Sequence, residues 1–155
     1  MKILVFSDSH GELAFMEQTV SAQLPDQIIH LGDRREDAEA LAELFPRIPV
    51  CMVSGNCDFD LVNPPVIVTQ LGGVRFLVTH GHTLGVKSGP LRLLYAAEER
   101  QVQAALFGHT HSACYEAYHG IHVLNPGAAG GCSPSCGLIE ISDGRITSCR
   151  IVRQP

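Results

Sequence analysis

The sequence predicts an α/β fold in which helices pack on layered β-sheet. Five short apolar runs are each followed directly by a burst of Asp, His, Asn and Gly residues. Helical patterns separate several of these runs in the first half of the chain. Two hairpin patterns follow in the last part, so a layered domain with antiparallel hairpins at its C-terminus is expected.

The five apolar runs are predicted to be buried strands. They are short, rich in Val, Ile, Leu and Phe, and bounded mostly by glycine and polar residues. They cover residues 3–6, 27–31, 50–53, 74–78 and 104–107.

Three segments between the strands have helical patterns. In residues 11–24, apolar side chains recur at a spacing that places them on one helical face. Residues 37–45 form a second apolar pattern, which Pro46 ends. Residues 91–102 form the third.

The C-terminal part is predicted to form two hairpins. Residues 113–118 and 121–124 flank a His-Gly pair, and residues 137–142 and 145–152 flank Asp143-Gly144. An Asp-Gly pair favours the tight turn that joins antiparallel strands.

Composition narrows the class of protein. The 155 residues, 45% hydrophobic and 17% charged, fit one globular domain over residues 1–155. We find no apolar stretch long enough for a bilayer and no signal-peptide pattern, so no membrane association and a cytoplasmic location are expected. The net charge of −5 makes nucleic acid an unfavourable partner, whereas a small phosphorylated substrate is compatible if bound cations supply positive charge.

The six cysteines form no C-x-x-C pair, and free, mostly buried thiols are expected. Cys132 and Cys136 could begin a zinc site, but no second pair with suitable spacing follows.

The polar bursts follow the predicted strands, and ligands in open α/β sheets bind beyond the carboxyl ends of strands. We therefore expect these side chains to converge on one site. The converging residues are Asp8, His10, Asp33, Asn56, His80, His109 and His111.

This set of carboxylates, imidazoles and one carboxamide suits Mn²⁺, Fe or Zn²⁺ better than calcium. It exceeds what one tetrahedral ion needs and fits two ions sharing a bridging carboxylate. Two cations roughly 3.5–4 Å apart would hold a phosphoryl group and supply a hydroxide for in-line attack on phosphorus.

The same residues resemble the calcineurin-like metallophosphoesterases, in particular the small prokaryotic phosphodiesterases. The resemblance implies two stacked sheets flanked by helices, an α–β–β–α sandwich, and hydrolysis of phosphodiesters. The motifs that carry it are Asp8-x-His10, Gly32-Asp33, Gly55-Asn56-x-Asp58, His80-Gly81-His82 and Gly108-His109-Thr110-His111.

The resemblance also implies the ligand sets. Asp8, His10, Asp33 and His111 would bind one metal, and Asp33 would bridge to a second metal held by the remaining ligands, Asn56, His80 and His109. Manganese is the expected ion, with zinc, iron or nickel as alternatives. Several relatives are oligomers, so a homo-oligomer is a further expectation.

Asn56, Cys57, Asp58 and His82 are the predicted catalytic residues. Larger relatives carry a His directly after the motif Asn, where it helps to protonate the leaving group, and here that position is Cys57. The general acid is then His82 or a metal-bound water, and Asp58 would orient a neighbouring group.

Two other functions compete with hydrolysis. A protein-interaction scaffold on the same fold is one, because the retromer scaffold subunit belongs to the same branch. That subunit has an incomplete first motif, whereas Asp8 and His10 are both present here, which favours the enzyme. A DNA nuclease is disfavoured by the acidic balance.

Some polar residues have a structural and a functional interpretation. His30 is predicted to be a core histidine, and His119 and His122 to be exposed. The loop of residues 125–131 is either a phosphate contact or a tight turn, and Arg34 and Arg35 are either substrate contacts or a solvated helix start.

Overall fold

The computed structural model of the chain describes residues 1–58 and 63–153, which contain two five-stranded sheets and three α-helices. The helices are α1 (Ala14–Gln23), α2 (Arg35–Leu44) and α3 (Leu91–Glu99). The strands are β1 (Lys2–Phe6), β2 (Gln27–His30), β3 (Val50–Met52), β4 (Val66–Leu71), β5 (Val74–Thr79), β6 (Ala104–Leu106), β7 (Cys114–Tyr118), β8 (Ile121–Asn125), β9 (Ser135–Ser142) and β10 (Arg145–Arg153).

Both sheets are mixed. The first has the order β10-β9-β1-β2-β3, with β1, β2 and β3 parallel and β9 antiparallel to β1. The second has the order β4-β5-β6-β8-β7, with β5, β6 and β8 parallel. The carboxyl ends of the parallel strands therefore carry the polar loops in both sheets.

Alternation along the strands explains the layers. In β1, Ile3 and Val5 pack with Phe76 and Val78 of β5 in the core between the sheets. Leu4 and Phe6 point the other way and pack on α1 through residues such as Met16. Leu77 packs on α3 in a third cluster, so the order of layers is helix, sheet, sheet, helix, as expected.

The five predicted strands and both hairpins are confirmed, and β4 is an addition. Edge strand β4 pairs antiparallel with β5 across a turn at Gly72-Gly73, and only one of its faces is partly buried. The hairpins extend both sheets, and β8 also pairs parallel with β6, so their contribution is not purely antiparallel.

The expectation of mostly buried thiols is wrong for three of the six cysteines. All six are free, but Cys57, Cys114 and Cys132 are exposed because they lie in loops or on the edge strand β7. Neither Cys132 nor Cys136 belongs to a cluster of metal-ligand side chains within the described ranges. Over the same ranges, no helix has the length and apolarity that a membrane crossing would need.

His30 lies at the end of β2 and is fully buried, as predicted for a core histidine. Its Nε2 lies 3.2 Å from Oγ of Ser9, and its Nδ1 accepts the N–H of Gly32 at 3.3 Å. This pattern requires the neutral ring, since Nδ1 needs a lone pair. Burial lowers the pKa of His30 to about 4, although Asp37 and Asp58 act in the opposite direction.

We expect His30 to make folding stability depend on pH. Between pH 6.5 and about 4 the unfolded chain binds a proton that the folded chain excludes, so stability falls as the pH falls through this range. Acidification from pH 7 to 5 should cost the wild type about 2 kcal/mol more than it costs His30→Gln. Urea unfolding of the metal-free proteins at both pH values measures this difference.

His119→Gln is the matched control, because His119 is exposed. It should keep the wild-type dependence on pH, and equal dependence in His30→Gln would contradict the assignment.

Candidate metal centre

All the predicted ligands lie in loops that leave the carboxyl ends of parallel strands. Asp8 and His10 follow β1, and His109 and His111 follow β6. The other three predicted ligands each follow one strand: Asp33 follows β2, Asn56 follows β3 and His80 follows β5. Backbone hydrogen bonds join these loops in pairs: Asp8 N–H donates to the Gly32 carbonyl at 3.1 Å, and Gly108 N–H to that of His80 at 3.0 Å.

The ligand loops adopt an unusual backbone conformation. Five of the predicted ligands have a φ in the left-handed region, namely Asp8 (55°), His10 (50°), Asp33 (60°), His109 (67°) and His111 (57°). Asp and His tolerate this region better than most residues, and such strain is concentrated at functional sites. The left-handed turns redirect the chain directly at the strand ends.

The first group of potential ligands consists of Asp8, His10 and His111. Nε2 of His111 lies 3.1 Å from Oδ1 of Asp8 and 3.5 Å from Nε2 of His10. The Asp8 side chain is fully buried; its Oδ2 accepts the N–H of His109 at 3.0 Å, but its Oδ1 has no hydrogen-bond partner among the described residues.

The second group consists of Asp33, His80 and His109. The buried His80 donates from Nδ1 to the Leu31 carbonyl at 2.9 Å, which leaves a lone pair on Nε2 in the neutral ring. That Nε2 lies 3.2 Å from Oδ1 of Asn56, 3.2 Å from Nδ1 of His109 and 3.4 Å from Oδ1 of Asp33.

These contacts fit divalent cations. A lone pair on His80 Nε2 that faces two oxygen acceptors is repulsive unless a positive charge lies among them. The two groups also adjoin, because Nε2 of His80 is 4.0 Å from Oδ1 of Asp8. The arrangement can bind two ions side by side, and the donor set of nitrogen and oxygen atoms suits transition metals.

Glycine allows the loops to approach closely. A Cβ atom on Gly55 would overlap the Asp33 carboxylate, and one on Gly108 would overlap the hydroxyl of Ser7. The glycines of these two motifs are therefore required by packing around the ligands.

Asp58 holds the loop that carries Asp33. Its Oδ2 accepts the N–H groups of Asp33 (2.9 Å) and Gly55 (2.7 Å), and its Oδ1 accepts those of the two residues that follow Asp33, at 2.8 and 2.9 Å. Burial raises the pKa of Asp58, but these four backbone bonds outweigh it and leave the pKa below its ordinary value. Asp58 therefore orients the backbone around Asp33. Asp33 is thus the group that Asp58 positions, which the sequence analysis did not identify.

Cys57 and His82 both border the centre. The N–H of Cys57 donates to Oδ1 of Asp33 at 2.9 Å, and its exposed Sγ lies 3.4 Å from Nδ2 of Asn56. Burial and the Asp33 carboxylate raise the pKa of the Cys57 thiol. The ring of His82 lies 5.5 Å from that of His80, and burial together with His80 lowers the pKa of His82.

Hydrogen bonds hold the loop of residues 125–131 at two points. Ala129 N–H donates to the Ser7 carbonyl at 2.8 Å, and Gly127 N–H to Oδ1 of Asn125 at 2.9 Å. The buried Asn125 also donates to Oγ1 of Thr110 at 2.8 Å, which supports the loop between His109 and His111. Sequence reasoning did not assign this support to Asn125, whose signal is a buried amide at the end of a mostly apolar strand.

The structure agrees with some of the remaining predictions for polar residues and differs from others. The side chain of Arg34 lies 3.8 Å from Glu36 and that of Arg35 lies 2.6 Å from Glu39, which favours the solvated helix start. His119 is exposed as predicted. Full exposure is wrong for His122, because its ring stacks on Tyr115 and its Nδ1 lies 2.8 Å from the Tyr115 hydroxyl.

Comparisons with a family model and with a curated protein point to the same family. Residues 1–144 match the calcineurin-like phosphoesterase superfamily domain. The protein named Probable metallophosphoesterase YsnB, from Bacillus subtilis (strain 168), is 36% identical over 132 residues, which is 83% of this chain and 75% of YsnB.

Solved structures match over the whole chain. An archaeal phosphodiesterase aligns with a TM-score of 0.77 at 20% identity and covers 99% of this chain and 100% of its own. Vps29 from Entamoeba histolytica, in complex with zinc, aligns with a TM-score of 0.79 at 20% identity and covers 99% and 98%. At this identity the likeness shows the fold alone.

Asp58→Asn should weaken the centre without changing its shape. The amide keeps one oxygen acceptor and turns an NH₂ group towards backbone N–H donors. We expect a loss of about 1–3 kcal/mol in the free energy of unfolding. Metal affinity should fall about 10–100-fold. Urea unfolding and calorimetric titration with Mn²⁺ measure the two effects.

Asp143→Asn makes the same chemical change in the exposed turn between β9 and β10. It should leave stability and metal affinity close to wild type, and indistinguishable results for the two variants would refute the role of Asp58.

Proposed function

The chain belongs to the calcineurin-like phosphoesterase superfamily, and from this premise we propose that it is a phosphodiesterase that works with two divalent cations. The position of His80 Nε2, which lies 3.2 Å from Oδ1 of Asn56, 3.2 Å from Nδ1 of His109 and 3.4 Å from Oδ1 of Asp33, is the observation that carries the proposal. These nitrogen and oxygen atoms converge as the ligands of a divalent transition-metal ion do.

In this proposal Asp8, His10 and His111 hold one ion, and Asn56, His80 and His109 hold the other. Asp33 would bind both ions. Mn²⁺ is the expected metal, with Zn²⁺, Fe or Ni²⁺ as alternatives. When bound, the ions polarise the phosphoryl oxygens and lower the pKa of a water enough to give hydroxide near neutral pH.

Charge favours an anionic substrate at this point of an acidic protein. The ligand set contains two carboxylates, Asp8 and Asp33, so two dications leave the centre with a local positive charge although the chain carries −5. A phosphodiester has one negative charge and fits this centre. The neutral amide of Asn56, in place of a third carboxylate, preserves the positive charge.

The reaction forms one bond and breaks one bond at phosphorus. The water oxygen bonds to phosphorus, the P–O ester bond breaks, and the leaving oxygen takes up a proton to give an alcohol and a phosphomonoester. His82, which borders the centre, or a water at the centre is the proposed proton donor. Asn56 would hold the second ion, Cys57 would lie beside it next to the substrate, and Asp58 positions the loop of Asp33.

The test of this function is hydrolysis of bis(4-nitrophenyl) phosphate and of the mono-ester by metal-stripped protein, with and without Mn²⁺. We expect Mn²⁺-dependent turnover that favours the diester. Asp33→Ala should abolish turnover and lose metal in a calorimetric titration, because it removes the bridging carboxylate.

Glu43→Ala changes an exposed carboxylate on α2 and should match the wild type in both measurements. Near-normal turnover in Asp33→Ala would disprove the bridging role. Tight metal binding without turnover of either ester, with any divalent ion, would favour the protein-interaction scaffold, the second candidate function, which the structural likeness to Vps29 supports.

Cys57→His should change the ratio of monoester to diester hydrolysis. The position lies next to Asn56 and Asp33, and an imidazole there adds a proton donor beside the leaving oxygen. We expect the monoester rate to rise relative to the diester rate, measured with the two nitrophenyl substrates. Cys132→His, in an exposed loop, is the control, and an unchanged ratio in Cys57→His would remove position 57 from the mechanism.

A further inference from the structure

A pocket of about 390 Å³ lies beside the candidate metal centre. Its size falls within the about 300–1,000 Å³ typical of small-molecule sites. The walls come from the loop after β5, the loop after β6, and strands β7 and β8. The lining residues include Val86, Phe107, Thr110, Glu116, Tyr118 and Val123.

The pocket walls are continuous with the metal-ligand loops. Thr110 lies between His109 and His111 in the chain, and its Oγ1 is held by Asn125 at 2.8 Å. Val86 packs on Gly81, where a Cβ would come within 2.7 Å of its Cγ2. A molecule in the pocket would therefore contact the loop that carries His109 and His111.

One face of β7 forms the outer wall. Cys114, Glu116 and Tyr118 alternate along the strand and all line the pocket. The register places Glu116 opposite Val123 of β8, which lines the same pocket. Tyr115 does not line the pocket, and its ring stacks on that of His122.

The floor is apolar and the rim is polar. Val86, Phe107 and Val123 belong to one buried hydrophobic cluster, on which Tyr118 also packs. Glu116 is the only charged residue among those lining the pocket, and its hydrogen bond raises the pKa of the Tyr118 phenol.

This chemistry selects a class of ligand. A second phosphate would be repelled by Glu116, whereas a neutral, flat ring can stack on the apolar walls and donate an N–H group to the carboxylate. A nucleobase has these properties. The acidic surface of the chain disfavours a long polyanion, so a small nucleoside ester fits better than nucleic acid.

We propose that this pocket binds the nucleoside part of a small nucleoside phosphodiester while the phosphoryl group lies at the metal centre. The inference rests on the proposed function, whose site supplies the phosphate position. The base lies against Phe107 and Tyr118, and Glu116 accepts a hydrogen bond from it.

Calorimetric binding to the Mn²⁺-loaded protein tests the pocket independently of turnover. The ligands are thymidine 5′-phosphate and 2-deoxyribose 5-phosphate, which share sugar and phosphate and differ by the base. The wild type should bind the nucleotide at least about ten-fold more tightly, because base stacking has an effect of that size. Cys114→Phe, which fills the pocket from exposed β7, should bring the ratio close to one.

Ala117→Phe is the matched control, because Ala117 is exposed on the same strand and does not line the pocket. It should keep the wild-type ratio. Equal binding of the two ligands by the wild type, or an unchanged ratio in Cys114→Phe, would overturn the pocket assignment. Absent turnover of diesters together with the expected ratios would instead overturn the phosphodiesterase and leave a nucleotide-binding site.

Discussion

The hydrogen bond from His80 Nδ1 to the carbonyl of Leu31 joins the two sheets at the site itself. Leu31 follows β2 of the first sheet and His80 follows β5 of the second, so the bond fixes their carboxyl ends relative to each other. It also places the remaining lone pair of His80 on Nε2, among Asn56, His109 and Asp33. The same histidine therefore links the two sheets through Nδ1 and presents Nε2 to the other candidate ligands.

The same arrangement favours a bound cation, because it buries two carboxylates. Asp8 and Asp33 are 0% and 3% exposed. Burial of a carboxylate is unfavourable unless hydrogen bonds or a positive charge compensate it. A metal that binds only the folded chain would compensate both carboxylates and stabilise the fold by mass action. A bound metal would also compensate the backbone strain of the ligand residues that have a left-handed conformation.

The sequence predicted the buried strands well because both faces of a central strand must be apolar, as in β1 and β5. It also predicted which polar residues meet, since parallel strands end at one edge. It missed β4, an edge strand with only half-buried positions and hence a weak signal. Short-range patterns also did not reveal the four hydrogen bonds that the Asp58 carboxylate accepts from backbone N–H groups. They did not reveal the left-handed backbone at the ligands either. Both depend on contacts between distant loops, which require the assembled sheets.

The location of the pocket follows from the difference between central and edge strands. Residues of β5 and β6 are packed on both sides and leave no freedom to form a recess. Within residues 1–58 and 63–153, no strand pairs with the outer edge of β7, and four of its five residues are exposed. One face of β7 can therefore carry Glu116 and Tyr118 at no cost to the core. The loop that contains Thr110 and His111 leads directly into this strand. Core packing fixes the positions of the candidate ligands, whereas residues of β7 can vary without disturbing them.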